Sequence, residues 1–269
     1  MAHSDNEKLK EHFTATENWN LWKYNKRYGY LFYKRATGEL EEMESSKALC
    51  HVISKFYKSG MRVADIGCGA GHYLRSLRER IDANIDYTGI DATEYYIELA
   101  RKAYPEGAIF KVGDILDIPA EKDSYDLVIC NNVILHLPPP PVRAFAELLR
   151  IAKKFVVIRT VFGVRTYIIQ EVLNPGDGYE ELEQKESQLI RSNVDLSHIR
   201  YFNLYTESYV REAIRALDPT IEIDIIKDDM WNPFDNRDFT TETGTVTFDN
   251  KQISGNIVLD WRFIVLTYR

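Results

Sequence analysis

The chain has 269 residues, 45% of them hydrophobic and 28% charged, which is the composition of a globular protein of one large domain, or one domain with an appendage. Its 34 basic and 41 acidic residues leave a net charge of −7, which argues against a nucleic-acid partner, since such partners require a basic footprint. Cys50, Cys68 and Cys130 lack metal-ligand spacing, the N-terminus is polar, and no apolar run approaches the roughly 18 residues of a membrane span, so the expectation is a cytoplasmic protein, monomeric or homodimeric, with no metal and no membrane.

The first 60 residues read as a cap. Trp19, Trp22, Tyr24, Tyr28, Tyr30, Phe32 and Tyr33 crowd into fifteen positions, with Lys23, Lys26, Arg27, Lys34 and Arg35 among them. Such a segment either packs on a sheet edge or closes over a ligand. In the second case Tyr33 would face a cofactor and Tyr28 a substrate.

Strand and helix signals alternate from residue 62 to about 160. Val63 to Ile66 is a short apolar run, interrupted by Asp65, that ends in three glycines, Gly67, Gly69 and Gly71. A helix follows with Tyr73, Leu74, Leu77 and Ile81 at helical spacing. The dinucleotide fingerprint G-x-G-x-x-G fails here, because its third glycine would fall on His72. Further strands are expected at Ile85–Asp91, Ala108–Val112, Tyr125–Cys130 and Lys154–Arg159, with helices ending before Pro105 and spanning Val142–Ala152. This alternation implies a parallel sheet with helices on both faces.

Residues 163–220 break the rhythm and read as an insertion forming a substrate lid. Within it, Gly176–Gln188 is acidic, and His198, Tyr201, Asn203 and Tyr205 form a polar and aromatic cluster suited to a substrate pocket. A helix is expected at Glu207–Leu217, then strands at Ile221–Ile226 and Ile257–Tyr268, with a hairpin around Asp249-Asn250. The organisation is thus a cap (1–60), a core (61–162), the insertion (163–220) and C-terminal strands (221–269) that complete the core sheet.

Ligands of open parallel sheets bind outside the carboxyl ends of the strands. Here those ends carry Asp65, Asp91, Asp114 and Asn131-Asn132. Asp91 can accept hydrogen bonds from both hydroxyls of a ribose, or cap the helix that follows. Asp114 can take a hydrogen from an adenine amino group with Ile115 against the base, or simply form a turn with Gly113.

Val63 to Gly71, Asp91, Val112-Gly113-Asp114 and Asp126 to Leu137 together resemble the successive motifs of class I S-adenosylmethionine (SAM)-dependent methyltransferases, the last stretch being similar to their small-molecule branch. The resemblance covers roughly residues 60–160 and extends loosely to the terminal strands. It implies an α/β, Rossmann-like, seven-stranded sheet of order 3-2-1-4-5-7-6 with β7 antiparallel. It implies SAM as cofactor and S-adenosylhomocysteine as product. Gly67, Cys68, Gly69 and Gly71 would line the methionine and ribose, and Asp91 with Ala92 the ribose. Gly113, Asp114 and Ile115 would hold the adenine, and Asn131 the methionine end. Asp65 would fix the glycine loop or reach the ligand's ammonium. His136, near the expected methyl position, is the candidate general base or else a packed turn residue. The implied activity is methyl transfer to oxygen, nitrogen or carbon of a small molecule. Methylation of RNA or protein, a non-catalytic SAM-binding role, and aminopropyl transfer remain alternatives, each separable by its product.

Overall fold

The computed structural model describes residues 26–172, 199–228, 245–248, 251–254 and 257–268. Two helices open it, α1 (Lys26–Thr37) and α2 (Glu44–Ile53). The core then alternates β1 (Arg62–Ile66), α3 (His72–Arg80), β2 (Asp86–Asp91), α4 (Glu94–Ala103), β3 (Ile109–Val112) and β4 (Tyr125–Asn131). A 3-10 turn at Ile134–His136 leads to α5 (Val142–Ile151) and β5 (Ala152–Phe162). After the short strands β6 (Gln170–Val172) and β7 (Ile199–Tyr201) come α6 (Glu207–Leu217), β8 (Glu222–Lys227), β9 (Thr245–Phe248), β10 (Lys251–Ser254) and β11 (Ile257–Thr267).

The main sheet runs β3-β2-β1-β4-β5-β11, with β8 on the far side of β11. The first five strands are parallel, and β11 is antiparallel to both β5 and β8. With β8 as sixth strand and β11 as seventh, this is the order 3-2-1-4-5-7-6 of the Rossmann-like methyltransferase fold. Strands β9 and β10 pair antiparallel with Phe248 opposite Lys251, and β10 pairs with the start of β11; Asp249-Asn250, where a turn is expected, lie outside the described residues. β5 is longer than its apolar run because Phe155 to Phe162 all find partners along β11.

Both faces of the sheet are buried, as parallel strands require. Alternating residues of the central strands supply the two layers. Ala64, Ile66, Val128, Cys130, Val156 and Ile158 meet Phe145 and Leu148 of α5 on one face. Val63, Leu127, Ile129 and Val157 meet Leu49 of α2, Leu74 of α3 and Ile97 of α4 on the other. Helix α5 buries Ala144, Phe145, Leu148, Leu149 and Ile151, a stripe at helical spacing that ties it to the sheet.

Helix α6 belongs to this core: its Val210 and Ile214 are fully buried in the α5 layer. Its N-cap, Thr206, accepts the backbone N–H of Tyr209 on Oγ1 at 3.2 Å. Among the described residues of the segment read as a lid, β6 and β7 pair antiparallel, and residues 202–205 run beside the turn after β4. The acidic run 176–188, like His198 and the aromatics before residue 26, lies outside the described residues. No helix among the described residues is long and apolar enough to cross a membrane.

Candidate functional site

The glycine turn after β1 has left-handed backbone at all three positions, with φ of +77° at Gly67, +55° at Gly69 and +76° at Gly71. Side chains are disfavoured there for conformational reasons. At Gly67 space forbids them too, since a Cβ would overlap the Val133 side chain. The N–H groups of Gly67 and Cys68 both point at Ile90 O (2.7 and 3.2 Å), tying the turn to the end of β2. Cys68 itself is buried, and burial pushes its thiol well above the ordinary range, so it is packing rather than chemistry.

Asp91 ties two backbone segments together. Its Oδ2 accepts the Gly69 N–H at 2.9 Å and its Oδ1 accepts the Thr93 N–H at 2.8 Å, so it braces the turn and the entry to α4. A carboxylate offers about four lone-pair sites, and with the Thr93 side chain also bonded to it, Asp91 keeps about one for a ligand hydroxyl. Burial raises the Asp91 pKa, opposed by these two backbone bonds. Ala92 is half-buried behind it.

Asp65 is 1% exposed. Its Oδ2 accepts the Tyr87 hydroxyl at 2.7 Å, while Oδ1 has no partner. Burial pushes its pKa up to about 7 against that bond. Asn131, on the same face at the tip of β4, is 5% exposed, and both of its amide atoms lack partners. Buried polar groups are almost always paired, so two orphans beside one glycine turn make this a candidate place for a ligand's hydrogen bonds.

Gly113 donates its N–H to Asp91 O at 3.0 Å and packs tightly on Ile90 and Pro119. The Asp114 carboxylate takes the Leu116 N–H at 2.7 Å and is half-buried. Ile115 does not stand open at this edge, as a residue waiting for a base would. It is 3% exposed in the core cluster with Ile90 and Ile118, because β3 is short and the chain turns inward directly after Asp114.

Residues 57–198, more than half of the chain, match the family model described as a methyltransferase domain. The chain belongs to this family. Over 144 residues the domain is 30% identical to a sterol 24-C-methyltransferase of Aspergillus fumigatus, covering 52% of this chain and 34% of that protein. Over 106 residues it is 32% identical to a ubiquinone biosynthesis O-methyltransferase of Xanthomonas euvesicatoria, covering 37% of this chain and 43% of that protein. The chain thus spans a third to less than half the length of these relatives. In fold it is similar to a magnesium protoporphyrin IX methyltransferase of Synechocystis PCC 6803 with bound S-adenosylhomocysteine (TM-score 0.53, 15% identity, 91% of this chain and 96% of that one).

The methyl donor of the family is SAM, and the rim of this methyltransferase domain fits it. Asp91 keeps a lone pair for a ribose hydroxyl, and the orphan Asp65 oxygen suits an ammonium. The cap contributes an aromatic ring, but from a different residue than expected. Helix α1 crosses α4 closely at Gly29, where a Cβ would lie 2.7 Å from Tyr96, and this seats Phe32 against Gly69 and on the His72 ring, centroids 4.6 Å apart. Tyr33 instead lies under Lys102 Nζ (5.2 Å) in the last turn of α4, and Tyr28 stacks on Phe32 at 6.3 Å. Burial drives the His72 pKa down to about 3, so His72 is a neutral packing ring.

His136 sits in the 3-10 turn after Asn131, with its Nδ1 2.8 Å from Tyr201 O. A carbonyl only accepts, so Nδ1 carries the hydrogen, and Nε2 is the basic nitrogen of the neutral ring. The residues chosen for a substrate pocket hold this turn in place. Asn203 donates its N–H to Leu135 O and its Nδ2 to Leu137 O, both at 2.8 Å. Tyr201 and Tyr205 are 2% and 1% exposed, and Tyr205 stacks on Tyr209 within the core cluster. Their aromatic spacing is that of a strand laid over the β4 turn, so these rings are packed rather than lining open space.

A second group at the rim is absent from any local sequence pattern. Arg159 of β5 bonds Asp228, just past β8, and Asn132, just past β4. Its guanidinium lies 4.0 Å from the centre of the Trp261 ring.

Proposed function

We propose that the chain is a SAM-dependent methyltransferase acting on a small molecule, with an oxygen, nitrogen or carbon atom as acceptor. The observation that carries this reading is the orientation of His136, whose Nδ1–H is held by Tyr201 O on the turn that follows the orphan amide of Asn131. The net charge of −7 and the small-molecule names of the sterol and ubiquinone relatives support the choice of acceptor class.

Bound SAM supplies an electrophilic sulfonium methyl, so alignment for in-line displacement provides much of the rate. The turn from Gly67 to Gly71 and Asp91 hold the nucleoside, while Asp65 and Asn131 hold the amino-acid end. For an acceptor that must lose a proton, His136 Nε2 takes it, and the Tyr201 carbonyl steadies the imidazolium through Nδ1–H. Three buried thiols without a disulfide support a cytoplasmic location.

Incubation with methyl-labelled SAM and a metabolite extract tests the proposal. It predicts a labelled product of low mass. Tight SAM binding without turnover, or label found only on RNA or protein, would overturn it.

A further inference from the structure

The rim residues divide about the glycine turn. Asp91 ends β2 and Asp114 lies two residues past β3, both on one side of β1. On the other side, across β4, β5, β11 and β8, stand Asn131, Arg159, Trp261 and Asp228. A nucleoside over β2 and β3 therefore puts its far end over β4 and leaves the strip from β5 to β8 for the acceptor. Adjacent strands lie about 4.8 Å apart, so this strip is wide enough for a small ring.

The strip is buried and charged. The side chains of Arg159 and Asp228 are 7% and 1% exposed. Both Arg159 bonds to the carboxylate, from Nε (2.7 Å) and from the second terminal nitrogen, land on Oδ2. A fork-to-fork pair would occupy both oxygens. Here a terminal nitrogen turns to Asn132 Oδ1 at 2.6 Å, and Asp228 Oδ1 is left buried with no partner. Asn132 is held for this task in left-handed backbone, φ +59°, with its Nδ2 on the Tyr73 hydroxyl at 3.4 Å. Asn131, the register partner of Arg159, presents the second orphan group.

We propose that Asp228 Oδ1 is an acceptor-binding atom that receives a hydrogen bond from a hydroxyl of an uncharged substrate. The inference rests on the methyltransferase reading and names its substrate class. Arg159 cancels the charge of Asp228, so among the described residues of the strip there is no net charge with which to recruit a carboxylate or an ammonium. What it offers is a hydrogen-bond acceptor of high strength, and a hydroxyl is the neutral donor that matches it.

The test uses the full chain saturated with S-adenosylhomocysteine and three probes sharing one ring: benzyl alcohol, benzylamine and benzoate. Calorimetry is expected to give benzyl alcohol an affinity at least about tenfold above the other two, the size of one hydrogen bond to a charged group. Asp228→Asn keeps its oxygen on Arg159 and presents an NH2 donor in place of Oδ1. The alcohol's affinity should then fall about tenfold with that of S-adenosylhomocysteine unchanged. Should Asp228→Asn fail to fold, the double variant Arg159→Met/Asp228→Leu removes the pair without stranding a charge, and the same loss is expected. Preference for benzoate or benzylamine, alcohol binding indifferent to both variants, or no probe binding because Oδ1 holds only water would overturn the proposal. Absent methyl transfer with the alcohol preference intact would sink the transferase reading and leave this site. Methyl transfer with a KM indifferent to Asp228 would do the reverse.

Discussion

Tyr87 donates its hydroxyl to Asp65 Oδ2 at 2.7 Å in a place where both side chains are about 1% exposed. The bond satisfies one carboxylate oxygen and leaves the other without a partner. Because burial raises the Asp65 pKa to about 7 from 3.8, the native state binds a proton that the unfolded chain has lost across that window. The contribution of Asp65 to stability therefore falls as pH rises through the window and is constant above it. An ammonium ligand needs the ionised acid, so SAM affinity moves the other way. Calorimetry from about pH 6 to about pH 8 should show SAM binding tightening as Asp65 ionises, and Asp65→Asn should flatten the profile.

Gly67→Ala carries two costs, about 1–2 kcal/mol for the left-handed backbone and about 1–3 kcal/mol for the overlap with Val133. Thermal denaturation should show both, with Val133→Ala in the same chain recovering only the overlap part. Full recovery by Val133→Ala would mean that the φ of +77° is not a constraint.

His136→Ala should lower kcat by about 10²–10⁴-fold for an acceptor that must lose a proton, while SAM affinity stays within about twofold. Steady-state kinetics beside calorimetry separates the effects. A kcat within a few-fold of wild type would assign His136 to packing alone.

Much of this site can be read from the chain because its parts are local. The run from Val63 to Gly71 announces a strand and a turn by composition, and Asp91 follows it by twenty residues at the end of the next apolar run. Five alternating strands and their helices fix a parallel sheet, and the pairing of Thr245–Phe248 with Lys251–Ser254 is visible in its turn. What escaped depends on packing at a distance. Arg159 and Asp228 are 69 positions apart, and no periodicity connects them. Gly29 looks like a blemish in a helix until α4 is seen against it, and that crossing decides why Phe32 rather than Tyr33 reaches Gly69. Helix α6 has the expected bounds, but only the burial of Val210 and Ile214 reveals that it is core. A local signal for part of this is an apolar strand broken by an arginine.

The account turns on the rim from Asp91 to Asn131 being a SAM site, and Asp91→Ala tests that most directly. Calorimetric titration with SAM, beside circular dichroism to confirm the fold, should show an affinity lower by about 10- to 100-fold, since hydrogen bonds to a charged acceptor contribute about 1.5–3 kcal/mol. An Asp91→Ala variant that folds and binds SAM as tightly as wild type would contradict the account.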